Sequence, residues 1–120
     1  AMPASEVLDC QRLLRATGKH LEIIQRVISA FLERAPAQVQ DLTDALTGSE
    51  AEGISRAAHK LRGAVANIGG LRLLNLATTI EELAHAGKFT EAQALQGDLE
   101  RAAQELYLAL RQAPWATLCA

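Results

Sequence analysis

The side chains of this chain most able to do chemistry stand close together, in the stretch from Ser55 through Arg56, His59, Lys60, Arg62 and Gly63 to Ala66 and Asn67. Read as a helix at about 100° per residue, this stretch puts Ile54, Ala58, Leu61, Val65 and Ile68 within about 40° of one direction, which is a core face. His59 then points about 140° away from that face, towards water. Its strip is shared by Ser55 and Arg56 one turn before, Arg62 and Gly63 one turn after, and Ala66 two turns after. An imidazole in that position is a nucleophile open to an approaching molecule. Gly63 sharpens the reading. A glycine inside a helix costs about 1 kcal/mol relative to alanine, and neither solubility nor core packing explains one on an exposed strip. A partner that must bring its backbone or a phosphoryl group close to the imidazole needs that clearance. Arg56, Lys60 and Arg62 surround the position with positive charge, and the plain alternative for each is a solvated face with ordinary helical partners.

The elements that must hold this strip follow from apolar periodicity. Asp9 can cap a short helix from Cys10 to about Ala16, with Leu13 and Leu14 as apolar contacts, that lids one end of the molecule. Leu21, Ile24, Ile28, Leu32, Ala35, Val39, Leu42 and Leu46 keep one phase through Pro36. They predict a single long helix over about 19–47, kinked at the proline. Gly48 ends it, and Ser49 with Glu52 has the form of a capping box for the helix that carries His59. Gly69-Gly70 stops that helix. A third, over about 71–86, buries Leu73, Leu76, Ala77, Ile80 and Ala84. A fourth, over about 90–111, starts at a Thr90/Gln93 capping box and buries Leu95, Leu99, Ala102, Leu106, Ala109 and Leu110. Connections this short require antiparallel neighbours. The expected fold is therefore all-α: an antiparallel up-down four-helix bundle with a short N-terminal helix. It forms a single domain over 1–120, with a core of about 7–112 and a tail at 113–120.

The totals narrow the function classes. Apolar residues make up 49% of the chain and aromatics 3%, so Leu, Ala, Ile and Val must fill the interior. The net charge of −2 comes with acids and bases interspersed, and no basic face suggests nucleic acid. Cys10 and Cys119 fit no metal spacing or disulfide framework. No run nears the ~18 apolar residues of a membrane span, nor is there a basic-then-apolar leader, so a cytoplasmic location is expected without direct membrane insertion. Glu82 and His85 have a Glu-x-x-His spacing, but no second copy exists and Arg56 precedes His59 where a ligand would be needed, so neither metal nor bound cofactor is expected.

His59-Lys60-Leu61-Arg62-Gly63 followed by Asn67-Ile68-Gly69 resembles the signature of histidine-containing phosphotransfer (HPt) domains: histidine, any residue, leucine, lysine, glycine, then a short gap and an apolar-glycine pair. Phe31 to Pro36 resembles the family's first bundle helix and Leu73 to Leu83 its leucine-rich third, so the likeness spans roughly 7–111. Arg62 stands where the family most often has lysine. The resemblance implies a phosphorelay intermediate of two-component signal transduction. His59 would be the phosphorylated, catalytic residue, accepting a phosphoryl group from a receiver-domain aspartyl phosphate and passing it to another receiver's aspartate. Lys60, Arg62 and Arg56 would support the phosphoryl group. Glu81 would too, at a position where the family often has a polar side chain near the imidazole, with a plain surface carboxylate as its alternative. Ser55, Gly63, Ala66 and Asn67 would form the receiver-docking face. Mg2+ is expected on the partner receiver and not on this chain.

Two rival readings bear on this. A sensor-kinase dimerisation helix would follow its histidine with an acidic residue and, a few positions on, a proline; Lys60 follows here, and the chain has no ATP-binding lobe, so no autokinase activity is expected. A hybrid sensor histidine kinase that carries this domain remains one context for it. The remaining alternative is a non-catalytic helical adaptor or dimerisation module with its docking face around Gly63.

Overall fold

The computed structural model describes residues 11, 12, 15, 18, 20–66 and 68–112. Five helices follow in order: α1 (Leu21–Thr47), α2 (Ala51–Ala66), α3 (Leu71–His85), α4 (Phe89–Ala94) and α5 (Gln96–Gln112). Of the expected short helix over 10–16, residues 11, 12 and 15 are described and are helical; the rest of it and the tail at 113–120 lie outside the described residues, as does the side chain of Leu21.

Pro36 lies inside α1 without ending it. It sits on the exposed face, so its ring faces away from the apolar stripe that holds the helix in place. Helix α2 packs against α1 and α3, α3 against α4 and α5, and α5 back against α1. That closed cycle of sequence neighbours, joined by short connections, is an up-down bundle.

The core runs along the axis through Ile24, Ile28, Phe31, Ala35, Leu42, Leu46, Ile54, Leu61, Leu73, Ile80, Leu99 and Leu106. Helix α2 contributes Ile54, Ala58, Leu61 and Val65, each at most 1% exposed. Turning α2 half round would expose its three larger members, at about 1.5–3 kcal/mol each. Burial of that stripe therefore fixes the opposite strip, with His59, outward.

The turn after α2 needs both glycines. Gly69 takes a left-handed backbone with φ 85°. At Gly70 a Cβ would stand 2.6 Å from Leu106 Cδ2 and 3.0 Å from Val65 Cγ1, so any larger residue would have to displace the buried Leu106 side chain.

Several local expectations are corrected. The fourth helix is divided at Leu95, whose amide bonds the Ala92 carbonyl in a tighter turn before Leu99 resumes the α pattern onto Leu95. Ser49 forms no cap: its backbone is left-handed (φ 50°) and α2 starts two residues later. Gln93 does not close a box with Thr90 but donates across the bundle to the Leu46 carbonyl at 2.7 Å and to Ser49 Oγ at 3.3 Å, fastening α4 to the end of α1. Leu32 and Leu76 are only half-buried, whereas Phe31, Ala92, Ala103 and Tyr107 join the core.

Tyr107 packs its ring at 60° to Phe31 with centroids 6.1 Å apart. Burial pushes its phenol up to about 12, against a weaker opposite pull from Arg111. A raised value means that the stabilisation is complete below the ordinary 10.0 and is lost as pH rises towards about 12. As this is the sole tyrosine, tyrosinate absorbance is expected to appear late in an alkaline titration and together with loss of helicity.

Candidate functional site

His59 stands on the exposed side of α2, one turn from Ser55, Arg62 and Gly63. It lines an open cleft of about 750 Å³ with Arg62, Gly63 and Ala66 of α2, Leu74 of α3, and Arg12 and Arg15 of the N-terminal segment. A Cβ built on Gly63 meets nothing within 4 Å. The glycine is therefore not there to relieve contacts within the chain, and the space beside the imidazole is open to an incoming group.

Behind this surface α2 is tied to α3 through Glu81. Ser55 and Arg62 lie two turns apart on one strip of α2, and Glu81 reaches between them across the antiparallel pair. Ser55 Oγ donates to Glu81 Oε2 at 2.8 Å and Arg62 Nη1 to Oε1 at 2.6 Å. The Glu81 side chain is 14% exposed and that of Arg62 35%, so the alternative of a plain surface carboxylate is set aside. Burial pushes the Glu81 carboxyl up. The hydrogen bonds from Ser55 and Arg62, with the charges of Arg62 and His59, outweigh it and hold the group below its ordinary 4.5. The stabilisation is thus present above 4.5 and is lost as pH falls through the lowered value. In urea titrations at about pH 6 and about pH 3, Glu81→Gln should narrow the parent's loss of stability on acidification. An equal loss in both proteins would show that Glu81 is not part of the acid response.

The strip's remaining members divide. Lys60 turns to a second groove of about 380 Å³ between α1 and α2, lined also by Val27, Phe31, Arg34, Ala64 and Ile68. Arg56 is exposed and lines neither cleft. Asn67 lies outside the described residues. Of the cations expected around His59, Arg62 alone shares its cleft, and Glu81 already answers its charge. Arg12 and Arg15 were missed. Three residues apart on a helical reading, they form one face of a segment that periodicity assigns to lidding, and nothing local announces which surface that segment crosses.

Among the described residues no carboxylate lines the cleft. Among the described residues no three His, Cys, Asp or Glu side chains gather as a metal site, and no helix is long and apolar enough to cross a membrane. The donor set at His59 suits an anion: an imidazole nitrogen beside guanidinium groups, which bind phosphoryl oxygens in paired hydrogen bonds.

Comparison with known families matches residues 26–113 to the Hpt domain. Among solved structures, histidine-containing phosphotransfer protein B (HptB) from Pseudomonas aeruginosa PAO1 superimposes with a TM-score of 0.79 at 23% identity, over 88% of this chain and 91% of that one. Comparison with curated proteins gives no match.

Proposed function

This chain belongs to the Hpt domain family, and from that premise we propose that it is a phosphorelay intermediate with His59 as the phosphoryl carrier. The observation that carries the assignment is the exposed imidazole of His59 in an open cleft with guanidinium groups, beside a glycine with free space around it.

In the proposed step, the lone pair of a neutral His59 nitrogen attacks phosphorus in line. The N–P bond forms as the acyl P–O bond of a receiver's aspartyl phosphate breaks, and the bonding electrons leave on the aspartate carboxylate. The proton on the other ring nitrogen stays in place. The reverse exchange hands the group to a second receiver's aspartate. Such a transition state gains from alignment and charge more than from covalent help. The chain's share is a rigid, outward imidazole and an anion-attracting wall. We assign Mg2+ to the receiver; the side chains described around His59 are an imidazole and guanidinium groups, which suit the phosphoryl anion. Gly63 and Ala66 form the floor on which the receiver settles. Ser55 acts by positioning Glu81, and Lys60 and Arg56 meet the partner at the rim.

Mixing the protein with a phosphorylated cognate receiver and magnesium should move the label onto this chain in an acid-labile form. A receiver that keeps its label at its unassisted rate would favour the adaptor reading.

A further inference from the structure

The cations around His59 are not equivalent. Arg62, at the position where the resemblance places a phosphoryl-supporting charge, is bound to Glu81 at 2.6 Å, and its Nε is shut off from solvent with no hydrogen-bond partner. A phosphoryl oxygen does not reach that Nε unless the side chain moves. Lys60 faces the groove with α1. The wall of the cleft contributed from outside α2 and α3 carries Arg12 and Arg15. Arg15 is exposed and makes no hydrogen bond or ion pair among the described residues. Among the described residues its guanidinium is thus the cation of the cleft whose donors are uncommitted.

We propose that Arg15, supported by Arg12, is the residue that grips the phosphoryl group on His59, so that these two side chains complete the phosphorylated site. The inference rests on His59 as the carrier. A planar guanidinium offers two parallel N–H donors to two phosphoryl oxygens, and it stabilises the dianion over the monoanion. The groups facing that phosphoryl are then Arg12, Arg15 and Arg62, with Glu81 behind Arg62 as the opposing charge. Receiver approach from the Gly63 side leaves the Arg15 side in place, so the same side chain attends the group before and after transfer.

The test uses the whole chain phosphorylated with phosphoramidate. Its P–N bond breaks as the N–P bond to the ring forms, and ammonia leaves with the electron pair and a proton. Phosphorus NMR then follows the titration of the phosphohistidine in the parent, Arg15→Ala and Arg15→Lys. The expected result is a label on His59 in all three and an unchanged helical spectrum. The second phosphoryl ionisation should rise by about half a unit in Arg15→Ala at low salt and return part of the way in Arg15→Lys. Superimposable titrations in the parent and Arg15→Ala would overturn the role of Arg15 while leaving His59 as the carrier. A parent protein that takes no label on His59 would overturn both.

Discussion

In His59→Gln, the acid-labile label that the parent takes from a phosphorylated receiver is expected to vanish completely, with the fold unchanged. The imidazole is exposed and lies outside the apolar core. Glutamine is a good helix former, so the circular-dichroism signal and melting temperature should match the parent closely. A residual label above a few per cent of the parent, or its persistence in an acid-stable form, would place the acceptor elsewhere. Glu81 provides an internal control. Its bonds from Ser55 and Arg62 do not involve the ring, whose charge is the smallest of the influences on it, so loss of transfer with most of the acid-stability profile kept separates chemistry from architecture.

Gly63→Gln is expected to divide stability from function in the opposite sense. The position is helical, with open space where a Cβ would go. Replacing the glycine should therefore raise unfolding stability by a few tenths to about 1 kcal/mol. The longer side chain would stand on the face a receiver must cover, one turn from His59. Phosphoryl transfer requires in-line alignment to within about an ångström, so a slowing of about 10- to 100-fold is expected. Stopped-flow transfer and urea unfolding on the same preparation measure both. Transfer at the parent rate would mean that Gly63 does not serve approach. A destabilised variant would mean that its surroundings are not as open as the geometry indicates.

The parts of the molecule that periodicity revealed are those where burial dominates. On α2 and in the turn that follows it, Ile54, Ala58, Leu61, Val65 and Ile68 recur at helical spacing because each loses its water against the core. The outward direction of His59 follows from the same pattern. The unbroken phase across Pro36 likewise indicated one helix, since packing outweighs a single missing amide on an exposed face. Features fixed by competition between small terms were less visible. Ser49 has the residue type of a cap, yet its left-handed backbone places it in the turn. Gln93 has a suitable spacing to Thr90, yet it finds a carbonyl 47 positions away. Leu95 breaks the fourth helix with no proline to mark the place.

The site was legible in part for a related reason. The nearness of His59, Arg62, Gly63 and Ala66 is local to one helix, and spacing alone predicts it. The bond of Arg62 to Glu81 crosses from α2 to α3 and depends on the register of two helices, which a helical wheel does not contain. Arg12 and Arg15 reach the cleft from more than 40 residues away in the chain. Their basic side chains were plain in the sequence, but their destination was not. The consequence is chemical: the positive field at His59 is built from two segments, and its α2 member is partly neutralised.

The most direct test of His59 as the carrier is to locate the phosphorus. The protein should be labelled by a phosphorylated receiver, kept at neutral to alkaline pH and sequenced by electron-transfer fragmentation, which leaves the N–P bond intact. Of the chain's three histidines, His20 and His85 are also exposed and serve as internal comparisons. One phosphoryl group is expected, on His59 alone. Phosphorus on His20, on His85 or on a carboxylate, with His59 unmodified, would contradict it.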